Sequence, residues 1–176
     1  TYTNACSLFQ IEIRCAVRDD AGMTIEISLT GRTALVVGGG GGGIGSSVCH
    51  RLADAGADIV ALSAVAADLD ATQAEVEQRG RQCASAVVDV HDLETLRSTI
   101  ENHPEVDLVV NVVGGVTVPY WHRLHDYPIE SFDHLLTTNL RYAFTSCQAV
   151  AARLIADARP GAMVNICLLY TSDAAD

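Results

Sequence analysis

The segment TALVVGGGGGGIG, residues 33–45, decides the fold of this chain. Its first five residues are apolar, as in a buried strand, and Ile44 begins a stretch with apolar residues at helical spacing. Six consecutive glycines, residues 38–43, separate the two. Bare backbone in such a turn lets a pyrophosphate approach the free N–H groups at a helix N-terminus. The segment therefore predicts a dinucleotide-binding turn, and a tight loop without a ligand is the alternative.

Apolar segments of strand length alternate with helical segments along the rest of the chain. We predict strands at 33–37, 58–62, 84–88, 106–113 and 162–166, and helices at 44–55, 66–79, 92–101 and 131–158. Strands that are apolar along their length and separated by helices indicate a parallel sheet covered on both faces. The predicted fold is α/β, a doubly wound parallel sheet of the Rossmann type, which stops after about the fifth strand.

Composition and charge exclude several classes of protein. The 176 residues are 49% hydrophobic, and 22 acidic residues against 11 basic ones, all arginine, give a net charge of −11. This charge disfavours nucleic acid and anionic membrane surfaces as partners. The apolar runs are far shorter than the ~20 residues of a membrane span, so we expect no transmembrane helix and a cytoplasmic location. The six cysteines form no C-x-x-C pair, and we predict no metal site.

The two ends of the sequence differ from its middle. Residues 1–22 show no helical or strand periodicity, whereas Met23 leads directly into the apolar segment, so we interpret 1–22 as a non-native or disordered leader. The last ten residues, CLLYTSDAAD at 167–176, resemble a translated sequencing adapter. We therefore expect the dinucleotide-binding domain at 23–166 and an artefactual tail at 167–176.

The second and third predicted strands end in residues that could contact the adenosine half of a dinucleotide. An acidic residue about 20 positions after the glycines commonly binds the ribose 2′-hydroxyl of NAD. Here that count reaches Ser63, with no acidic or basic residue through position 67. The missing carboxylate removes repulsion of a 2′-phosphate, so NADP is slightly favoured over NAD, unless Ser63 merely ends its strand. Asp89 could accept a hydrogen bond from the adenine amino group or cap the next loop.

Five motifs in order resemble those of the short-chain dehydrogenase/reductase family. Gly39, Gly43, Ile44 and Gly45 resemble its T-G-x-x-x-G-I-G loop, with Gly38 in place of the threonine. Asp89 and Val90 resemble its adenine-contacting D-V pair, and NVVG at 111–114 resembles N-N-A-G, with Val112 in place of asparagine. TNL at 138–140 resembles the segment with the family's catalytic asparagine, and GAMVNI at 161–166 resembles the start of G-x-I-V-N-I-S-S.

The resemblance implies an NAD(P)-dependent oxidoreductase that moves a hydride between the nicotinamide and a small carbonyl or alcohol substrate. Together with the residue count, it predicts cofactor contacts at Gly39, Gly43, Ile44, Gly45, Ser63, Asp89, Val90, Asn111 and Gly114. Asn139 would hold a proton-relay water through its helix backbone. The family's serine and Y-x-x-x-K follow the fifth strand and do not occur in the native part of this sequence. We therefore expect an N-terminal fragment of a protein that is a homo-oligomer at full length.

The sequence leaves two alternative functions and the role of one group of residues undecided. A non-catalytic dinucleotide-binding protein of the same fold would carry the same turn. An S-adenosylmethionine-dependent methyltransferase is disfavoured, because such proteins place an acidic residue where this chain has Ser63. Tyr120, Trp121, His122 and His125 follow the fourth strand and could contact substrate, although a solvated loop is the favoured interpretation. The remaining histidines show no ligand spacing, and we interpret them as surface or packing residues.

Overall fold

The computed structural model describes residues 13–17 and 23–166, and the side chains of residues 28–166. The strands are β1 (Ile13–Val17), β2 (Met23–Ile27), β3 (Thr33–Val37), β4 (Asp58–Ser63), β5 (Cys83–Val87), β6 (Leu108–Asn111) and β7 (Ala162–Asn165). The helices are α1 (Ile44–Asp54), α2 (Ala66–Glu77), α3 (Leu93–Glu101), α4 (Ile129–Leu136) and α5 (Tyr142–Ala156). The predicted elements from position 33 onward are all present, with shifts of a few residues at their ends.

The central sheet has five parallel strands in the order β5-β4-β3-β6-β7. The chain moves outward from β3 to β5, returns to the other side of β3, and continues outward to β7. Helices cover both faces, and each face has its own core cluster, one centred on Leu35 and Val109 and the other on Val36 and Ile59. The predicted doubly wound Rossmann-type sheet is confirmed.

A separate antiparallel pair precedes this sheet. The register of β1 and β2 pairs Ile13 with Ile27, Cys15 with Ile25, and Val17 with Met23. Thus β1 lies in the segment for which we predicted no strand periodicity, because an alternation over only five residues is too short to distinguish from chance. The interpretation of 1–22 as a leader stays a prediction, with residues 1–12 and 18–22 outside the described part. The tail at 167–176 also lies outside it.

The long helix predicted at 131–158 contains a π-helical turn. Thr137–Arg141 connects α4 to α5, and the Tyr142 N–H donates to the carbonyl of Thr137, five residues back. The extra residue rotates the apolar stripe, so Phe144 is 63% exposed, whereas Val150 and Leu154 stay buried. Along the predicted helix, large apolar side chains are therefore buried mainly in the C-terminal half.

The helices of the described residues are short. The longest, α5, has 15 residues, and none of the described helices combines the length and the apolarity that a membrane crossing requires.

Candidate functional site

The candidate site lies at the edge of the sheet formed by the C-terminal ends of its parallel strands, here called the carboxyl edge. β3 lies between β4 and β6 in the sheet, so the loops that follow β3 and β6 leave a crevice where the strand order reverses. Ligands of open α/β sheets bind in this crevice. The glycine loop, residues 38–43, follows β3 at this position.

Close packing of the glycine loop requires glycine at several positions. A Cβ atom at Gly45 would collide with the carbonyl oxygen of Gly38. A Cβ atom at Gly39 would lie 3.1 Å from both the Sγ of Cys49 and the Cβ of Ala61. Gly41 and Gly42 have φ angles of +86° and +68°, which side-chain-bearing residues rarely adopt. The loop is therefore compact, with backbone rather than side chains at its surface.

Several N–H groups of this loop indicate an anion-binding site. Gly38 and Gly39 donate to the carbonyl of Leu62, and Gly42 donates to the Oγ of Ser46. Among the described residues, no acceptor is found for the N–H groups of Gly40, Gly41 and Gly43. No side chain caps α1, whose first N–H groups have no intrahelical acceptor. These donors at a helix N-terminus have the geometry that binds a phosphate.

Two hydroxyl groups that the sequence analysis did not single out hold the loop. The Oγ1 of Thr72 on α2 donates to the carbonyl of Gly39 at 3.0 Å and lies 3.2 Å from the Oγ of Ser46. Both residues are buried. The signal was present in the sequence, because Thr72 lies between Leu69 and Val76 on the apolar face of α2, where a polar side chain needs a partner.

Ser63 and Asp68 lie beside the glycine loop. A Cβ atom at Gly40 would lie 3.1 Å from the Oγ of Ser63 and 2.8 Å from the Cβ of Asp68. The Oγ of Ser63 accepts from the N–H of Val65 at 3.3 Å. The structure therefore places Ser63 at the end of β4 beside the glycine loop, together with an acidic residue, Asp68, that counting along the sequence did not reach.

Asp89 and Val90 have different surroundings at the end of β5. An Oδ1 atom of Asp89 accepts from the N–H of His91 at 2.9 Å, which stabilises the loop before α3. Asp92 caps α3 by accepting from the N–H of Thr95 at 3.0 Å. Asp89 is exposed at the carboxyl edge, and the side chain of Val90 packs in the core.

Asn111 is 1% exposed, and its side chain makes only internal hydrogen bonds. Its Nδ2 donates to the Oδ1 of Asn165 at 2.8 Å, and its Oδ1 accepts from the Oγ of Ser146 at 2.7 Å. The Nδ2 also lies 3.4 Å from the Sγ of Cys147. The side chain thus ties β6 to β7 and α5, and the Asn111 carbonyl accepts from the N–H of Ile166.

Asn139 lies in the π-helical turn and holds the loop after β6. Its Oδ1 accepts from the N–H of Gly115 at 2.7 Å, and its Nδ2 donates to the carbonyls of Gly115 and Leu135. A Cβ atom at Gly114 would lie 3.0 Å from the same Oδ1. The structure therefore brings Asn139 and Gly114 together, as expected if both belong to one site.

Tyr142 is a buried tyrosine next to this loop. Its hydroxyl donates to the carbonyl of Val113. Burial, with a smaller contribution from Cys147, raises its pKa to about 12. The phenol therefore stays neutral at physiological pH and has a structural role.

A stack of three rings connects the loop after β5 with α4. The rings of His91 and His134 stack at 4.2 Å between centroids, and Tyr120 stacks on the other face of His134 at 3.8 Å. The Nε2 of His91 lies 2.9 Å from the Oγ1 of Thr138. From the sequence, His91 and His134 are interpreted as separate surface or packing residues, because 43 positions separate them. Only the fold brings them together.

The other aromatic residues after β6 lie on an open loop. Trp121 is 74% exposed, and His122 and His125 are exposed as well. The Nε2 of His122 lies 3.3 Å from the Oγ of Ser131. An apolar cleft of about 650 Å³ borders the glycine loop at Gly42 and Gly43, and it extends between the start of α1 and the face of β6 and β7.

Residues 32–174 match the short chain dehydrogenase family. The chain is 36% identical over 148 residues to a 2-dehydro-3-deoxy-D-gluconate 5-dehydrogenase of Bacillus subtilis (strain 168), covering 82% of this chain and 56% of that protein. It is 36% identical over 142 residues to an L-xylulose reductase of Mesocricetus auratus, covering 81% of this chain and 55% of that protein. The chain thus spans about half the length of these relatives.

Solved structures with bound dinucleotide resemble the chain. NAD⁺-bound xylitol dehydrogenase aligns with a TM-score of 0.69 and 30% identity, over 77% of this chain and 52% of that one. A metagenomic short-chain oxidoreductase in complex with NADP aligns with a TM-score of 0.73 and 26% identity, over 81% of this chain and 64% of that one. The sheet order, the glycine loop and these matches agree, and the chain belongs to the short-chain dehydrogenase family.

Proposed function

We propose that this chain is the cofactor-binding part of an NAD(P)-dependent oxidoreductase. The observation that carries the proposal is the set of N–H groups without an acceptor among the described residues, at Gly40, Gly41 and Gly43 and in the first turn of α1. Such donors bind a pyrophosphate without a charged side chain. The protein would act on a small carbonyl or alcohol substrate, as the names of the related dehydrogenase and reductase indicate for those proteins.

Each residue has a role in binding or orientation in this proposal. The N–H groups of Gly43, Ile44 and Gly45 hold the pyrophosphate, and Gly39 lets the loop pack closely against the sheet. Asp89 and the backbone at Val90 face the adenine, and the backbone at Asn111 and Gly114 lines the crevice toward the nicotinamide. When bound, the cofactor supplies or takes up a hydride. Asn139 positions the loop after β6, and its backbone carbonyl in the π-helical turn holds a water for proton transfer.

The adenosine ribose would lie beside Ser63. Ser63 offers no carboxylate to the ribose, which slightly favours NADP. Asp68, however, brings a carboxylate to the same place from α2. Ser63 therefore favours a cofactor with a 2′-phosphate, whereas Asp68 disfavours it.

A Gly43→Ala variant tests the cofactor site. A Cβ atom at Gly43 meets no atom of the described residues within 4 Å, so the added methyl group would occupy open space at the N-terminus of α1, where the pyrophosphate binds in our proposal. We expect NADH and NADPH to bind the unchanged chain and to bind this variant about tenfold more weakly, a difference of about 1.4 kcal/mol. Reduced-nicotinamide fluorescence measures both affinities.

The control is Gln78→Ala, an exposed position at the far end of α2. It should leave both affinities unchanged, and circular dichroism should show that both variants fold. Equal affinity in Gly43→Ala, or no binding of either dinucleotide to the folded unchanged chain, would contradict the proposed site.

We also propose that the full-length protein is a cytoplasmic homo-oligomer. Ile129, Phe132, Leu140 and Phe144 on α4, the π-helical turn and α5 are between 48% and 64% exposed and form the apolar surface that supports this expectation. Sedimentation velocity of the full-length protein measures its oligomeric state.

A further inference from the structure

Asp68 is the one acidic side chain among the described residues that contacts the glycine loop. It lies in the first turn of α2, directly after the end of β4. Cβ atoms added to the loop would lie 2.8 Å from the Cβ of Asp68 at Gly40 and 3.3 Å from its Oδ2 at Gly41. The carboxylate therefore lies over the part of the loop that also faces Ser63.

Among the residues that the structure describes, the carboxylate of Asp68 has no partner of its own. Within the described residues it makes no ion pair and accepts no hydrogen bond, and only its backbone carbonyl is used, by Thr72. The arginines on the same side of the sheet pair with other carboxylates, Arg51 and Arg79 with Asp54 and Arg81 with Asp58. No basic residue occurs at positions 63–67. The negative charge beside the loop is therefore uncompensated by any described basic side chain.

An uncompensated carboxylate at this place distinguishes the two nicotinamide dinucleotides. It accepts a hydrogen bond from a ribose 2′-hydroxyl, as an acidic residue does in NAD-binding sites. It repels a 2′-phosphate, which carries up to two negative charges that no described cation neutralises. Asp68 reaches the glycine loop because α2 packs over it. An acidic residue five positions after Ser63 can therefore occupy the position that an acidic residue at the strand end would occupy in an NAD-binding site.

We propose that Asp68 is a specificity-determining residue that selects NAD(H) over NADP(H) by contacting the adenosine ribose. This inference rests on the proposed dinucleotide site, and it reverses the slight preference for NADP that Ser63 alone suggests. The carboxylate acts on cofactor choice and takes no part in hydride transfer.

Calorimetric titration of the 176-residue chain with NAD⁺ and NADP⁺ tests the inference. The unchanged chain should bind NAD⁺ at least about tenfold more tightly than NADP⁺. Asp68→Asn keeps the shape and a hydrogen-bond acceptor but removes the charge, so NADP⁺ should bind more tightly and the ratio should fall to about threefold or less. Because the discrimination is electrostatic, higher salt should reduce it in the unchanged chain.

The matched control is Asp70→Asn, which removes the same charge from an exposed position two residues away, on another side of α2. It should leave the ratio unchanged. A chain that binds both dinucleotides equally, that prefers NADP⁺, or whose ratio responds alike to Asp68→Asn and Asp70→Asn overturns the inference while leaving the dinucleotide site intact. A folded chain that binds neither dinucleotide overturns the proposed function as well.

Discussion

A single hydroxyl at Thr72 connects three parts of the candidate site. It donates to the carbonyl of Gly39, lies within hydrogen-bond distance of Ser46, and belongs to the helix that carries Asp68. The family's loop threonine is replaced here by Gly38, so the hydroxyl from α2 supplies a bond between the loop and its surroundings. The glycine loop and the specificity residue thus depend on the same helix.

Thr72→Val tests this connection. Valine keeps the shape of the side chain but leaves the buried Gly39 carbonyl without this donor, which costs about 1–3 kcal/mol. We expect the free energy of unfolding in urea to fall by that amount and dinucleotide affinity to fall with it. Thr99→Val makes the same chemical change on α3, away from the glycine loop, at a hydroxyl that makes no hydrogen bond among the described residues, and it should alter neither quantity. Equal effects of the two variants would show that the bond to Gly39 contributes nothing specific.

Residues near the candidate site could be predicted from the sequence where chain order alone fixes their position. Gly45 and Ser63 are fixed by their places after β3 and at the end of β4, and both lie at the carboxyl edge. Asp68 and Thr72 reach the loop only because α2 packs across it, and nothing in local periodicity specifies that approach. For this reason, the pyrophosphate donors could be predicted from the sequence, whereas the residues that hold the loop and that contact the ribose in our proposal could not.

The π-helical turn is an element that could not be predicted from the sequence. One extra residue in a helix of 28 positions leaves the apolar spacing almost unchanged, so the sequence predicted an unbroken helix at 131–158. π-helical turns are rare and often occur at functional sites, and this one carries Asn139. The turn directs the Asn139 side chain toward Gly115, and Phe144, just after the turn, is exposed to solvent.

Asn139→Ala measures what the turn contributes to the loop after β6. Among the described residues, the Oδ1 of Asn139 is the acceptor for the N–H of Gly115. We expect that amide to exchange with deuterium at least about tenfold faster in the variant, for a local loss of about 1–2 kcal/mol. Nuclear magnetic resonance follows the exchange of this single amide.

Asn139→Asp and Asn102→Ala complete that experiment. Aspartate keeps the acceptor but removes both Nδ2 donors, so exchange at Gly115 should be intermediate. Asn102 follows α3 on another part of the molecule, and its substitution should not affect Gly115. Unchanged exchange at Gly115 in Asn139→Ala would mean that another group fixes this loop.

The five-stranded parallel sheet was predictable because its strands are short and apolar and helices separate them. Right-handed crossovers between parallel strands leave few topologies for such an alternation, and the observed order β5-β4-β3-β6-β7 is one of them. The two core clusters contain ionisable groups, Cys49 on the face covered by α1 and Tyr142 on the face covered by α5. Both layers therefore bury side chains that must stay protonated.

These buried groups predict a loss of stability at alkaline pH. Burial, reinforced by Cys83, raises the pKa of the Cys49 thiol from 9.0 to about 12, and burial raises that of Tyr142 from 10.0 to about 12. The native state then keeps protons that the unfolded chain releases, so the unfolded chain binds fewer protons above pH 9. Stability is therefore complete below about pH 9 and falls as the pH rises through the folded pKa values.

Cys49→Ala separates the titration from the packing. The thiol is fully buried, and its ionisation in the unfolded chain should cost about 1 kcal/mol of stability at pH 10 relative to pH 7. With a reductant present, urea unfolding should show that the variant is less stable than the unchanged chain at pH 7, because buried volume is lost. Between pH 7 and pH 10, however, the free energy of unfolding of the variant should fall by about 1 kcal/mol less. Val48→Ala removes volume from the same helix without removing a titrating group, so it should keep the full pH dependence. If Cys49→Ala and Val48→Ala lose stability in parallel as the pH rises, the thiol ionises equally in both states and the burial argument is wrong.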